Sequence, residues 1–303
     1  MTAPPRPRVQ PRSIQTIGIT AKARLPEAAS VVGDIVRWLR TRGLETVVET
    51  RTAERIGHSD TQVCSASELP TRSDLLLVLG GDGTVLGVAR DVSDSDADVP
   101  ILAINFGSLG FLTEVTLPEL YGSLQSVIDG TARIDQRQML HATVQREDTS
   151  LADRVVLNDV VIGKAALSNI LELAVTVGNQ FMTNFQADGL IIASPTGSTA
   201  YSMAAGGPIV HPLLEALILT PIAPHTLTNR PIVLPSTAEV HVRPVLNVSH
   251  RSAYVSFDGQ SGFELLDGDL VTVTRSPRPL QVVRAEARNY FSVLREKLKW
   301  GER

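Results

Sequence analysis

The segment Gly80-Gly81-Asp82-Gly83-Thr84 combines three glycines with one carboxylate and one hydroxyl group. Glycine lets the backbone turn tightly and approach a ligand closely, and free N–H groups at the start of a helix favour phosphate oxygens. The segment follows an apolar run and precedes a helical pattern, which is where such N–H groups occur. We therefore expect this loop to lie against a phosphorylated ligand.

The carboxylate of Asp82 needs a separate explanation, because a negative charge inside a phosphate-binding loop repels the ligand. The loop matches neither the Rossmann dinucleotide pattern nor a Walker loop, which carries a lysine. Two chemical roles are open for Asp82: it accepts a proton from an attacking hydroxyl group, or it helps to hold a divalent metal. The alternative is a turn residue with a local hydrogen bond.

A polar pair, Asn158-Asp159, interrupts the apolar run at positions 155–162. Asparagine both donates and accepts hydrogen bonds, and a carboxylate accepts two hydroxyl protons, so the pair suits the edge of a ribose. A β-bulge or a hairpin turn explains the same interruption without a ligand. The pair alone does not choose between these interpretations.

Positions 187–208 form the longest stretch with candidate site residues, and its pattern predicts a strand, a hydroxyl-rich turn and a helix of small residues. Hydroxyl groups cap helices and bind ligands, alanines allow close approach, and a tyrosine offers a flat amphipathic face. The residues concerned are Thr196, Ser198, Thr199, Ala200, Tyr201 and Ala204. Helix capping and tight packing are the alternative explanation for this stretch.

The elements that must position these residues change character near residue 130. Before it, short apolar runs alternate with helical periodicity, which predicts a Rossmann-like α/β domain with a parallel sheet. The predicted strands lie at 16–20, 44–49, 74–79 and 101–104, and the predicted helices at about 31–43, 85–90 and 118–128.

After residue 130, strands separated by short polar turns predict an all-β, sandwich-like domain. They lie at 141–146, 154–162, 170–178, 239–243, 253–257, 270–275 and 280–284. One helix is expected after Thr196 and a last one at 290–300. We therefore expect a flexible arm at 1–13, an α/β domain at 14–130, a β-sandwich domain at 131–285, and a C-terminal helical segment at 286–303 that packs on the first domain or on a partner.

The composition excludes several classes of function. Hydrophobic residues make up 43% of the chain and charged residues 20%, as in globular proteins. A net charge of −4 provides no general attraction for nucleic acid or anionic lipid. Cys64 is the only cysteine, which excludes an internal disulfide and a thiolate metal cluster. No signal peptide or membrane span is recognisable, so we expect a cytoplasmic protein.

Together the three motifs resemble the ATP-NAD kinase family, in which a Gly-Gly-Asp-Gly loop, an Asn-acidic pair and an Asp-Gly…Thr-Gly-Ser-Thr-Ala-Tyr segment occur in this order. The resemblance covers roughly positions 74–260 and includes the connecting segment 105–112, Pro208, the segment 225–227 and Arg230-Pro231. It implies an α/β N-terminal domain and a β-sandwich C-terminal domain with the active site between them.

The resemblance also implies roles for individual residues. Asp82 corresponds to the proton acceptor, Gly83 lies beside the dinucleotide, and Asn158 and Asp159 contact the adenosine ribose. Further substrate-binding positions follow in the adenine-side wall, in the Asp-Gly turn and in Asp258-Gly259-Gln260. They are Asp188, Thr199, Ala200, Tyr201, Ser202, Met203, Ala204 and Gln260.

The reaction implied is transfer of the γ-phosphoryl group of ATP, or of another donor, to the 2′-hydroxyl of the adenosine ribose of NAD, giving NADP. A divalent cation, in the first place Mg²⁺, would shield the triphosphate without a full protein cage. The six histidines are scattered, which argues against a zinc site, so no residue is assigned as a metal ligand. The family further implies a homo-oligomer, a dimer or a tetramer.

The chain departs from the family pattern at three positions. Asp159 stands where many members have glutamate, so its contact with the ribose shifts or uses water. Asn169 and Gln186 stand where relatives are often basic, which predicts weaker or different binding of the dinucleotide phosphates. A lipid or sugar kinase with the same glycine loop, and a catalytically silent NAD-binding regulator, remain the alternative functions.

Overall fold

The computed structural model describes residues 14–22, 28–57, 61–107, 109–164, 170–226, 228–246, 253–285 and 288–300. The chain divides into two compact units. Unit 1 comprises Met1–Ile134 and Val282–Arg303, and unit 2 comprises Asp135–Gln281. The sequence predicts these boundaries after residues 130 and 285. The arm expected at 1–13 lies outside the described residues.

The strands of the described residues are, in chain order, β1 Thr16–Ala21, β2 Glu45–Glu49, β3 Gln62–Cys64, β4 Leu75–Leu79, β5 Ile101–Asn105, β6 Val115–Thr116, β7 Ile134–Arg137, β8 Leu140–Arg146, β9 Thr149–Val156, β10 Asp159–Lys164, β11 Leu171–Val177, β12 Gln180–Ala187, β13 Gly189–Ala193, β14 Ala216–Ile222, β15 Ile232–Pro235, β16 Val240–Val245, β17 Ala253–Phe257, β18 Ser261–Leu265, β19 Leu270–Arg275 and β20 Leu280–Val283. The helices are α1 Ala28–Arg40, α2 Thr50–Ile56, α3 Asp82–Asp94, α4 Leu120–Ile128, α5 Tyr201–Ala204 and α6 Tyr290–Leu298, with 3₁₀ turns at Pro70–Arg72, Leu117–Glu119 and Gly197–Thr199.

The sheet of unit 1 has the order β3-β2-β1-β4-β5-β20-β7, with the short β6 paired to β5, and its strands β20 and β7 run across the unit boundaries at residues 281 and 134. The pairs from β3 through β5 and on to β20 are parallel. Every residue of β4 and β5 is buried, as expected for strands that helices cover on both faces. The amphipathic face of α1, with Val32, Ile35, Val36 and Leu39, is buried in the same core.

Unit 2 contains two antiparallel sheets of six strands each. Their orders are β15-β14-β13-β10-β17-β18 and β12-β11-β16-β19-β8-β9. Buried and half-exposed residues alternate along β8, β11 and β17, and the buried sets of both sheets form one core. This is a sandwich, so the predicted fold class is confirmed for both halves of the chain.

Two strand predictions are wrong in detail. The single strand predicted at 154–162 is two strands, since β9 ends at Val156 and β10 begins at Asp159, in different sheets. The strand predicted at 280–284 as part of the sandwich is β20, which pairs with β5 in the parallel sheet. The physical reason is the same in both cases: an apolar strand pattern does not reveal which sheet supplies the hydrogen-bonding partner.

The helices of the described residues are modest in length. The helix predicted after Thr196 is a 3₁₀ turn followed by α5, which has four residues. The longest helices, α1 and α3, have 13 residues each, and none of those described is long and apolar enough to span a bilayer.

Candidate active site

The glycine-rich loop at 80–84, which contains Asp82, lies at the carboxyl end of β4, in the middle of the parallel sheet. Gly81 is extended and precedes the first turn of α3, which begins at Asp82. Gly83 is exposed, and a Cβ added to it would meet no atom within 4 Å. The loop therefore has the strand–turn–helix context that the glycine pattern predicts.

The carboxylate of Asp82 is held by a distant part of unit 1. Its Oδ2 accepts a hydrogen bond from the N–H of Phe111 at 2.9 Å. Its Oδ1 accepts from the N–H of Leu112 at 3.1 Å and of Thr113 at 3.2 Å, and from the Thr113 hydroxyl at 3.1 Å. Since a carboxylate has about four acceptor positions, two on each oxygen, Oδ2 is the oxygen that retains capacity for a ligand hydroxyl.

Gly110 makes room for this carboxylate. A Cβ at this position would lie less than 3.0 Å from both Oδ1 of Asp82 and the hydroxyl oxygen of Thr113. Real Cβ atoms essentially never make contacts that short, so Gly110 is required for the observed orientation of Asp82. This is a packing requirement, since Gly110 has no positive φ.

The Asn158–Asp159 pair lies at the corner where the chain leaves β9 and enters β10. The Asp258 carboxylate accepts hydrogen bonds from the N–H groups of Leu157, Asn158 and Asp159 at 2.9, 2.7 and 3.0 Å. In return the Asp258 N–H donates to the carbonyl of Asp159 at 2.9 Å. A single side chain therefore sets the backbone of the whole corner, which we call the ribose corner after its proposed ligand.

The Asp159 carboxylate has no hydrogen-bond donor among the described residues. The residue is only 5% exposed. Burial, and in second place the charge of Asp258, raise the pKa of Asp159 to about 7. Burial raises the pKa of Asp258 as well, against the three backbone hydrogen bonds that lower it.

The hydroxyl-rich turn after β13 packs directly on the ribose corner. The Ser194 N–H donates to the carbonyl of Asn158 at 2.8 Å, and its hydroxyl donates to the carbonyl of Leu157 at 2.5 Å. A Cβ at Gly197 would lie less than 3.0 Å from the carbonyl oxygen of Asn158. The second and third sequence motifs thus meet in unit 2, and Gly197 is there because two backbones touch.

The predicted adenine-side wall separates into exposed and buried members. Tyr201 is 47% exposed and Ala204 is exposed, whereas Thr199, Ala200 and Met203 are half-buried. Ser202 is fully buried, and its hydroxyl is 2.9 Å from that of Thr220. The side chain of Ser202 therefore packs inside unit 2, against Thr220.

The other predicted positions lie on turns of unit 2. Gln260 is exposed, in the turn that Asp258 begins, and its N–H donates to the carbonyl of Phe257 at 3.0 Å. Asp188 follows β12, and its Oδ1 is 2.6 Å from Nζ of Lys164. Gln186 is exposed on β12, whereas Asn169 lies outside the described residues.

Sequence reasoning missed the residues that hold the site in place. Asp258 belongs to Asp258-Gly259-Gln260, but the family resemblance assigns a substrate contact only to Gln260 in this motif. Gly110 lies in the connecting segment 105–112, and Thr113 directly follows it. Neither residue type by itself suggests a catalytic or binding role. Lys164 lies close to Asp188 because β10 pairs with β13, and the sequence alone does not show this pairing.

No group of three or more His, Cys, Asp or Glu side chains that could hold a metal occurs in the part of the chain that the structure describes. In unit 1 the Asp82 carboxylate accepts hydrogen bonds from the loop at 111–113, and in unit 2 the buried Asp159 lies beside the half-buried Asp258. This donor set is unlike a dedicated protein metal cage.

Comparison with known proteins identifies both halves of the chain. Residues 17–132 match the ATP-NAD kinase N-terminal domain, and residues 157–285 match the ATP-NAD kinase C-terminal domain. Proteins named NAD kinase from Geotalea daltonii and Geobacter metallireducens are 45% and 46% identical over 290 residues, which are 96% of this chain and the full length of each relative.

Solved structures agree in fold. The yeast NADH kinase complexed with NADH superposes with a TM-score of 0.89 at 26% identity, covering 100% of this chain and 94% of that one. An NAD kinase from Archaeoglobus fulgidus in complex with ATP has a TM-score of 0.75 at 24% identity, covering 93% and 99%, which supports the fold alone. With both family domains matched in order along the chain, this protein belongs to the ATP-NAD kinase family.

Proposed function

We propose that the chain transfers the γ-phosphoryl group of ATP to the 2′-hydroxyl of the adenosine ribose of NAD, which yields NADP. The observation that carries the proposal is the Asp82 carboxylate, which four donors orient while Oδ2 keeps room for a hydroxyl group. The names and identities of the relatives support the same reaction.

Asp82 acts as the acceptor for the hydroxyl proton. Phosphoryl transfer passes through a loose transition state, so positioning of the nucleophile contributes more than its full deprotonation. A carboxylate locked by loop donors does not have to be reorganised when the hydroxyl arrives. The proton therefore moves to Asp82 late, as the new O–P bond forms.

The ribose corner binds the sugar. Asn158 can donate to and accept from ribose hydroxyls. The Asp159 carboxylate, which has no donor among the described residues, accepts a hydrogen bond from a ribose hydroxyl. The exposed ring of Tyr201 provides a flat surface for the adenine or nicotinamide portion. Gly83, Asp188 and Gln260 are proposed as further contacts, together with Thr199 and its neighbours through Ala204.

The nucleotide donor enters as its complex with a divalent cation. Mg²⁺ commonly keeps several waters and is bound by substrate phosphates with one or two carboxylates. Such binding requires no group of three or more protein ligands, and the described residues contain none. The cation neutralises charge on the triphosphate, and we assign it no protein ligand.

The two alternative functions fit the structure less well. A lipid or sugar kinase with the same glycine loop does not require a ribose corner built from Asp258 and packed on the turn at Gly197–Thr199. A catalytically silent NAD-binding regulator does not require an oriented carboxylate at Asp82. The proposed function and the two alternatives predict different outcomes in a single assay.

The test is incubation of the purified chain with ATP, Mg²⁺ and NAD, followed by measurement of NADP. Asp82→Asn should lower kcat by at least about a hundredfold while NAD still binds in calorimetry, because the amide cannot accept the proton. The matched control is Asp94→Asn, the same change at the exposed last turn of α3. Absence of NADP with tight NAD binding to the unaltered chain would favour the regulator, and activity on a lipid alone would favour the other kinase.

We further propose that the chain works in the cytoplasm and assembles as a homo-oligomer. The homo-oligomer derives from the family resemblance alone, and the cytoplasmic location from the composition. Light scattering of the purified chain measures the assembly, and fractionation of cells that express it measures the location. A monomer at working concentration would contradict the proposed homo-oligomer.

A further inference from the structure

The loop that orients Asp82 has little regular structure of its own. Between β5 and β6, residues 109–114 form no helix or strand. Among their backbone groups, the Gly110 N–H reaches the carbonyl of Thr113 at 3.3 Å, which is a long bond. Yet three consecutive N–H groups of this loop must point at one carboxylate. Their alignment therefore needs support from outside the loop.

The support comes from the C-terminal part of unit 1, through Glu114. Glu114 directly follows Thr113, is 4% exposed, and its Oε2 lies 2.8 Å from Nε of Arg284. The backbone carbonyl of Glu114 accepts a hydrogen bond from Nη1 of Arg288 at 2.9 Å. The side chain of Glu114 is thus ion-paired with Arg284 by distance, without an aligned hydrogen bond between these atoms, and its backbone carbonyl is hydrogen-bonded by Arg288.

Arg288 also fixes the next element along the chain. Its Nη1 lies 2.6 Å from Oε2 of Glu119. The same carboxylate oxygen accepts from the N–H and the hydroxyl of Thr116 at 2.9 and 2.7 Å, which closes the turn before α4. One guanidinium therefore anchors both ends of the stretch from Glu114 to Glu119.

The C-terminal helix adds a third contact. Nζ of Lys297, on α6, lies 5.8 Å from the ring centroid of Phe111, within the range of a cation–π interaction. Phe111 donates its N–H to Oδ2 of Asp82, the oxygen with remaining acceptor capacity. Three cationic side chains from one end of the chain thus contact the loop or its continuation.

We infer that Arg284 and Arg288 are positioning residues for phosphoryl transfer, which hold Glu114 and thereby aim the N–H groups of Phe111, Leu112 and Thr113 at Asp82. The inference rests on the proposed role of Asp82 and goes beyond it by naming what keeps that carboxylate oriented. A buried ion pair is weak evidence for stability, because desolvation offsets the attraction of the charges. A role in orienting the loop at 111–113 explains why these charges are buried beside it.

Single-residue variants separate positioning from folding. Arg284→Met and Arg288→Met should lower kcat roughly tenfold to a hundredfold, as expected when a catalytic group shifts by about 1 Å, while KM for NAD changes by less than about twofold. Arg284→Lys and Arg288→Lys keep a cation near Glu114 and should restore most of the activity. A double variant, Glu114→Gln with Arg284→Met, removes both charges and so avoids an unpaired buried carboxylate if the single variant folds poorly.

The matched control is the ion pair of Arg146 with Asp269 in unit 2, whose atoms also lie 2.8 Å apart around a buried carboxylate. Arg146→Met should destabilise the chain to a similar extent and leave kcat unchanged. If Arg284→Met and Arg146→Met lower both Tm and kcat alike, Arg284 is only structural.

Amide hydrogen exchange gives a readout that does not need activity. In the unaltered chain the N–H groups of residues 111–113 should be protected, and in Arg284→Met and Arg288→Met they should exchange at least about tenfold faster. Unchanged exchange and unchanged kcat would overturn the inference. An unaltered chain that makes no NADP would overturn the proposed function instead, while the exchange measurement would still test whether the arginines hold the loop.

Discussion

The carboxylate of Asp159 is buried beside Asp258, whose negative charge adds to the cost of ionising it. Asp258 cannot turn away, because three backbone N–H groups of the ribose corner donate to it. The corner thus holds its backbone with the carboxylate of Asp258, while that of Asp159 has no donor among the described residues. Two acidic residues close in space take different roles because only one has donors.

Stability should depend on the ionisation of Asp159. Its pKa is raised from 3.8 to about 7, so the folded state binds the proton more tightly than the unfolded state. The resulting stabilisation is complete below about pH 4 and is lost as the pH rises to about 7. Between pH 5 and pH 8 the free energy of unfolding should fall by about 2 to 3 kcal/mol relative to Asp159→Asn, which has no proton to lose. Urea denaturation of both proteins at four pH values measures this, and parallel pH profiles would refute it.

Replacing Asp258 should damage the corner. In Asp258→Asn the amide nitrogen cannot accept the hydrogen bonds that the carboxylate accepts, so we expect a loss of about 1 to 3 kcal/mol in the free energy of unfolding and a higher KM for NAD. The pKa of Asp159 should also fall, because the neighbouring charge is gone. Asp267→Asn is the control, since that exposed turn carboxylate accepts the N–H of Leu246 and should change stability by less than about 0.5 kcal/mol. Equal effects of the two changes would contradict the role given to Asp258.

Gly110→Ala should displace Asp82 without removing it. The added methyl group occupies the position of Oδ1, so the carboxylate or the loop must move. We expect kcat to fall roughly tenfold or more and stability to fall by about 1 to 3 kcal/mol. Gly87→Ala on α3 has no atom within 4 Å of the new Cβ and should raise stability by about 0.5 to 1 kcal/mol with unchanged kcat. A Gly110→Ala enzyme with full activity would show that the position of Asp82 is not critical.

Two neighbours in α5 should respond differently to truncation. Ser202→Ala leaves the buried hydroxyl of Thr220 without its partner, so it should cost about 1 to 3 kcal/mol in stability and leave KM for NAD unchanged. Tyr201→Ala removes an exposed ring and should raise KM severalfold with little effect on stability. Thermal unfolding and steady-state kinetics on both variants decide the matter. A higher KM for NAD in Ser202→Ala would show that this side chain contributes to NAD binding.

Several features of this protein were determined by local sequence. Five consecutive apolar residues before Gly80 require a strand covered on both faces, and β4 is that strand. Glycines and a carboxylate at the start of the next helix place the candidate catalytic group at the end of the sheet. Alternation of apolar and polar residues after residue 130 predicts a sandwich because a period of two fits only strands. Such patterns act over a few residues, so they can be seen without the fold.

The tertiary structure alone decided what surrounds the chemical groups. The donors to Asp82 lie 29 to 31 residues further along the chain, and those to Asp258 lie about 100 residues before it. The division of the predicted strand at Asn158, the burial of Ser202 and the contact of Arg284 with Glu114 are likewise set by pairings between distant segments. Hydrogen bonds and charges act through space, and a one-dimensional pattern carries no distance between residues that only folding brings together.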